Sequence, residues 1–330
     1  MSLKLGAYTA CLHNYDLAEA LDILKGYGLD GAEVNVGGFI PSPHCHVDLL
    51  VSSETAREEY RGLFADKGMQ ITGMNCSGNV LDPLSDVGPR HHYDLKRAIE
   101  LASKLGVDEI VCMSGAPGSD PDAKYPSWVV NPWNGVYLEV LHYQQSVLDK
   151  YWKEMDKRAA DAGVKLAWEL HPHNTVFTPV GFMNFLERVQ PTNIGVNMDP
   201  SHLMWQGMDI FKCIDYLGEH IYHVHAKDTK ILPDVDVRGV LDDNFTKWPD
   251  ENPYPSGMAH YCSTWAEPAP WRFVAVGNGH DTDWWAEFLR HIEAVNPNMN
   301  VNIEHEDPFL DQLAGIEVSV KTLLAANKGK

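Results

Sequence analysis

Short apolar or β-branched runs recur along the chain, separated by longer stretches with helical spacing. The runs are Lys4–Tyr8, Gly31–Val36, Gln70–Cys76, Glu109–Met113, Lys165–Leu170, Gly195–Asp199, Ile221–His225 and Asn300–Glu304. Between them, Leu17–Tyr27 and Tyr93–Leu105 are amphipathic and stop at Gly28 and Gly106, a residue type that readily ends a helix. The longest such stretch, Tyr137–Ala162, carries Leu141, Leu148, Trp152, Met155 and Ala159 on one stripe and stops at Gly163. Strands alternating with helices predict a parallel sheet. Eight of them over 330 residues predict an α/β fold, a (β/α)8 TIM barrel occupying residues 1–330 as a single domain.

Two segments break this rhythm. Ser114–Asn134 follows the fourth strand and Thr229–Asp283 the seventh, and both are rich in proline and tryptophan. Long loops inside a compact domain tend to be functional. After barrel strands they emerge at the C-terminal face, where active sites sit. Trp128 and Trp133 in the first loop could stack on the flat face of a ligand.

The late strands end in ionisable residues: Glu169, Asp199, His225 and Glu304. Side chains alternate along a strand, so Ala167, Asn197, His223 and Asn302 share a face with these tips, while Leu166, Trp168, Val196, Met198, Val224, Val301 and Ile303 take the other. Each strand thus offers an apolar face to the helices and a polar face to the barrel axis. Three carboxylates meeting on that axis would repel one another. A divalent metal removes the conflict. Oxygen-rich ligation with one nitrogen suits Mn²⁺ best, with Mg²⁺, Co²⁺ and Zn²⁺ open.

Charge and composition narrow the function classes. Acidic residues outnumber Lys and Arg 46 to 26, a formal net charge of −20 that disfavours nucleic acid and anionic membranes as partners. The first residues lack signal-peptide character, no apolar run is long enough to span a bilayer, and the six cysteines include no CxxC pair. These features predict a cytoplasmic protein with reduced thiols.

The segments Glu169-Leu-His-Pro172, Asp199-Pro-Ser-His202, His223-Val-His-Ala-Lys-Asp228, Gly277-Asn-Gly-His280 and Ile303-Glu-His-Glu-Asp307 resemble the xylose isomerase-like TIM barrels, the sugar phosphate isomerase/epimerase group. The resemblance covers nearly the whole chain. It implies that Glu169, Asp199, His225 and Glu304 ligate the metal, in agreement with the strand phase. It also implies that His202 and Lys227 face substrate or support the ligands, and that Arg238 contacts substrate, although its local match is weak. His142 departs from the family pattern, which places an acidic residue nearby; its functional reading is an extra base, and its plain reading a surface histidine. Trp133 joins the candidate substrate contacts. His44 and His46 after the second strand could line the mouth, and Asn79 is expected near substrate.

These residues predict a metal-dependent isomerase or epimerase acting on a keto-sugar through an enediolate, with Glu169 and Glu304 as the acid/base pair. The alternative enzyme is a lyase that uses the same enolisation to expel a leaving group from 3-oxo-glycosides, as relatives of this barrel do with a histidine base and a small partner subunit. An endonuclease of the same fold is disfavoured by charge and by a carboxylate-dominated mononuclear set. A non-catalytic sugar-binding barrel is disfavoured because both glutamates are present. A sugar or glycoside is the expected partner, unphosphorylated because no dense cationic cluster marks a phosphate pocket; a homo-oligomer is left open.

Overall fold

A computed structural model of the chain describes residues 3–247, 255–257, 260–261 and 263–328. Trp248, Pro249, Pro253 and Cys262 lie outside the described residues.

Eight parallel strands close into a barrel: Lys4–Tyr8, Gly31–Asn35, Gln70–Asn75, Glu109–Met113, Lys165–Glu169, Ile194–Met198, Ile221–Ala226 and Asn300–Ile303. The last pairs with the first, Lys4 opposite Asn300 and Ala7 opposite Ile303, so the sheet has no open edge. The expected alternation holds. Leu166, Trp168, Val196, Met198, Val224, Val301 and Ile303 pack outward in the core between sheet and helices. Trp168 is buried within it, 4.8 Å from Trp152 and 4.4 Å from Phe185 between ring centroids.

Helix ends follow from local chemistry. Leu17–Gly26 starts at a reciprocal cap between Asp16 and Glu19, which satisfies two free amide donors at once. The helix predicted at Tyr93–Leu105 begins earlier, at Gly88, because Pro89 suits a first turn whose amides find no acceptor within the helix. Gly106 and Gly163 close their helices in the left-handed region. The long helix spans Gly135–Ala162, with the Asn134 side chain accepting from the Val136 amide.

Inside the barrel, close packing requires glycine at Gly6, where a Cβ would lie 2.2 Å from Asn302 Oδ1. The excursion after the seventh strand leaves and returns through an antiparallel pair, Asp228–Ile231 with Trp271–Val274. Its base carries a second apolar cluster of Trp205, Trp271 and Phe273, against which Trp128 and Trp265 pack.

Candidate active site

Four side chains meet where the late strands end: Glu169 on the fifth strand, Asp199 just after the sixth, His225 on the seventh and Glu304 just after the eighth. One ligand atom from each falls within 4.8 Å of all the others. His225 Nδ1 lies 3.1 Å from Glu304 Oε2 and 3.5 Å from Glu169 Oε2. Asn197, two residues before Asp199 on the same inward face, donates to Glu169 Oε2 at 3.4 Å. Asp199 Oδ1 accepts from the Ser201 amide, but Oδ2 is buried without a hydrogen-bond partner.

The electrostatics of this cluster are those of crowded carboxylates. Burial, with Glu169 and Glu304 adding to it, pushes the Asp199 carboxyl well above its usual range, against the pull of Lys227. Glu169 goes the other way, because the imidazoles of His202 and His225 outweigh its burial. Glu304 is also lowered, as Lys227 outweighs burial and the repulsion of Glu169. Of the three carboxyls, Asp199 is the one whose protonated form its surroundings favour.

Directly below lies a layer that the strand-end reading did not single out. Glu33, in the middle of the second strand, is wholly buried. It accepts from His223 Nε2 at 2.8 Å, from His225 Nε2 at 3.0 Å and from Asn75 Nδ2 at 2.9 Å. Burial would raise its pKa, yet His225 and His223 hold it well below the carboxylate range. Both histidines are raised in turn: burial opposes this, and Glu33 outweighs it. His225 is thereby oriented with Nε2–H on Glu33 and Nδ1 toward the upper carboxylates, the arrangement by which a second carboxylate fixes a ligating imidazole. The sequence did carry a signal for Glu33. Gly31, Glu33 and Asn35 alternate with Ala32 and Val34 in the same way as the late strands do.

One wall of the site comes from the excursion. Lys227 is buried, with Nζ 3.3 Å from Glu304 Oε2, 2.5 Å from Glu306 Oε2 and 4.4 Å above the Phe273 ring. His202 donates from Nε2 to Glu169 Oε1 at 2.9 Å, and Phe273 packs edge-on against it. Burial pushes the His202 imidazole down to about 3, with His171 adding to that effect. It is a neutral donor, consistent with support of a ligand.

Asp228 explains the Gly277-Asn-Gly-His280 segment. Its carboxylate accepts from the backbone amides of Gly277, Gly279 and His280 and from His280 Nδ1, at 2.7–3.1 Å. Gly279 is needed for that approach, since a Cβ there would meet Thr229 O at 2.4 Å and Asp228 Oδ1 at 2.5 Å. The motif therefore ties the end of the excursion beside Lys227.

Other predicted residues fall elsewhere. Asn79 spends its side-chain carbonyl and amide on the backbone of Ala116, so it fastens the loop after the fourth strand. His142 is exposed on the helix Gly135–Ala162 and, among the described residues, makes no hydrogen bond or ion pair to the cluster. Trp133 is 95% exposed. Arg238 pairs with Asp242 at 2.7 Å. His44 is buried against the Tyr15 carbonyl, and His46 precedes the short helix Val47–Ser52 as an exposed cap. A cavity of about 480 Å³ beside Phe39, Cys45, His46 and Asp94 contains none of the clustered residues.

The upper cluster fits a divalent cation. It offers three carboxylates and one imidazole nitrogen, and Asp199 Oδ2 makes no hydrogen bond.

Comparison with known proteins agrees with this architecture. A family model described as xylose isomerase-like TIM barrel matches residues 21–325. The uncharacterized protein YfiH of Bacillus subtilis (strain 168) is 34% identical over 326 residues, covering 97% of this chain and 98% of that one. Among solved structures, the probable 3-DHS dehydratase AsbF of Bacillus anthracis aligns with a TM-score of 0.63 at 17% identity, covering 97% of this chain and 98% of that one. The 3-keto-D-glucoside 4-epimerase YcjR of E. coli aligns with a TM-score of 0.60 at 14% identity, covering 99% of each chain.

Proposed function

This chain belongs to the xylose isomerase-like TIM barrel family, and from that premise we propose that it is a divalent-metal-dependent isomerase or epimerase of keto-sugars. The observation that carries the reading is the convergence of Glu169, Asp199, His225 and Glu304 with an unpartnered oxygen on Asp199. These four would hold the cation, with Mn²⁺ the best match to the donor set. The cation supplies Lewis-acid polarisation of a substrate carbonyl and its neighbouring hydroxyl.

The remaining work falls to the protein. Glu169 and Glu304 come from non-adjacent strands and serve as base and acid on opposite sides of the reacting carbon. His202 and Asn197 hold Glu169 in its charged form and fix its plane. Lys227 does the same for Glu304. Phe273 shields this pair from water, which strengthens the ionic contacts. Proton removal from one face and return to the other inverts a carbon; return to the adjacent carbon isomerises the sugar. Lys227 is already engaged by two carboxylates and Arg238 by Asp242, which favours an unphosphorylated substrate. YcjR is by its name an epimerase of a 3-keto-D-glucoside, and that supports a substrate with a carbonyl beside an acidic C–H.

The test is a panel of ketoses, inososes and 3-oxo-glycosides in D₂O with Mn²⁺, followed by NMR. The reading predicts deuterium at the carbon next to the carbonyl together with a new epimer or isomer. Release of an aglycone without an epimer would replace it with the lyase reading, and absence of exchange into any of them would remove it.

A further inference from the structure

The helix Gly135–Ala162 has 28 residues, against 18 for Gly88–Leu105. Packing on the barrel does not account for that length: none of residues 135–143 is buried, and burial begins at Gln144. The apolar stripe that packs Leu148, Trp152, Met155 and Ala159 into the core nevertheless runs on past it. It continues through Leu141 and Tyr137, seven and then four residues nearer the N-terminus. Around this overhang Val130 is 40% exposed, Trp133 95%, Val136 66%, Tyr137 56% and Leu138 41%. Single exposed apolar residues are ordinary, but a contiguous run of them marks a surface that something covers.

The overhang is held in place at both ends. Trp128 packs on the second apolar cluster and edge-on against His173 and Phe177. Gln144 Nε2 donates to the carbonyls of Ser127 and Pro117. Between these anchors the Asn131 side chain accepts from the Trp133 amide, and the Asn134 side chain from the Val136 amide. The backbone thus follows one fixed course while its apolar side chains meet water, and a surface already ordered loses little further entropy on association.

Charge identifies the partner. The 14 residues from Tyr125 to Leu138 include no Asp, Glu, Lys or Arg, in a chain that is 22% charged and carries a net charge of −20. Two copies repel each other in most orientations, and an uncharged face is where a second copy can approach. A basic partner would be drawn to acidic surface instead. Exposed aromatic side chains offer about 150–250 Å² each, so Trp133 and Tyr137 alone supply a large share of the about 800 Å² per partner that a stable interface buries.

We propose that residues 130–141, the end of the loop and the first two turns of the helix, form a two-fold symmetric interface with a second copy of this chain, anchored by Trp133 and Tyr137. In a symmetric contact the same segment lies on both sides, so each apolar stripe covers the other. Salt strengthens such a contact, because it screens the repulsion between two negative chains and leaves apolar burial intact; a complex of opposite charges responds the other way.

The experiment is sedimentation of the full chain across micromolar concentrations, at low and high salt, for wild type, Trp133→Glu, Tyr137→Glu and Val237→Glu. All three positions are exposed, and thermal melts check that each variant is folded. Wild type is expected at twice the chain mass, with tighter association at high salt. Trp133→Glu and Tyr137→Glu each weaken it by about 30-fold or more. Val237→Glu, also a highly exposed apolar position but outside the segment, leaves it unchanged. Amide exchange over residues 130–141 slows as wild-type concentration rises, which tests the same face without a substitution. A wild-type monomer at every concentration would overturn the proposal and leave the face to a different protein. A dimer untouched by both substitutions, or one that salt dissociates, would overturn it as well. No readout here involves turnover, so the function proposed above stands or falls separately.

Discussion

Two layers of acid and imidazole are stacked along the barrel axis, built from the same chemistry in different proportion. In the lower, Glu33 faces two imidazoles, His223 and His225, with Asn75 donating as well, and Glu109 takes the other nitrogen of His223 at 3.3 Å. The upper has three carboxylates facing one imidazole, and one oxygen of Asp199 without a partner. The lower layer is electrostatically closed, so it needs nothing from outside and can serve as a rigid support. The upper layer is open, and a cation completes it. His225 belongs to both: its Nε2 is committed below, which leaves Nδ1 available above.

The largest effects should come from the upper layer. Glu169→Gln and Glu304→Gln each keep shape and remove a proton-transfer group, so turnover should fall about 10²–10⁴-fold with the melting temperature little changed. Stopped turnover with a collapsed melt would mean a structural role instead. Glu33→Gln breaks the comparison from below. It removes the carboxylate that two buried imidazoles share, leaving His223 only Glu109 and His225 only the upper carboxylates, and loss of one member of a buried pair costs about 3–5 kcal/mol. Metal affinity should weaken about 10–100-fold, since the imidazole loses its orienting carboxylate. Calorimetric titration with Mn²⁺ and denaturant unfolding measure the two effects separately.

Asp199→Asn should act in the opposite direction on the metal-free protein. It relieves carboxylate crowding, so the stripped variant should melt higher than stripped wild type, while the rise in melting temperature produced by Mn²⁺ disappears. A lower melt for the stripped variant would show that the upper layer is already balanced without a cation.

The smallest effect is a pH dependence. Asp199 and His225 are both raised in the metal-free protein, the first by burial and its carboxylate neighbours, the second because Glu33 and Glu304 outweigh burial. Both must lose a proton to ligate, so metal binding releases protons and must tighten as pH rises. The melting-temperature gain from Mn²⁺ should therefore grow from pH 5 to pH 8. A gain that is flat or shrinks would contradict the assigned protonation.

Most of the fold was legible in the sequence, because period-two and helical patterns report which face each segment buries. The four upper side chains were legible for the same reason: Glu169, Asp199, His225 and Glu304 end strands whose other face is uniformly apolar. Glu33 carried the same signal in Gly31-Ala-Glu-Val-Asn35 but stands in mid-strand, where a charge reads as an interruption unless its buried partners are known. Those partners, His223 and Asn75, lie on strands far away in the sequence. Arg238, Trp133 and His142 were not placed by any period. Trp133 lies in an irregular loop, and Arg238 ends the one-turn helix Val235–Arg238 in an excursion whose course depends on contacts such as Asp228 with Gly277 and His280. His142 follows the core stripe by one position, which fixes it as outward-facing but not how near the barrel mouth that helix turn stands.

The central claim is that the upper layer alone is built for a catalytic cation. Crystals of the protein soaked in Mn²⁺ and measured at the manganese absorption edge test it most directly. The account predicts one strong anomalous peak bounded by Glu169, Asp199, His225 and Glu304, with His225 Nε2 still on Glu33. No peak among those four, or a peak at Glu33 with His225 turned toward it, would contradict it.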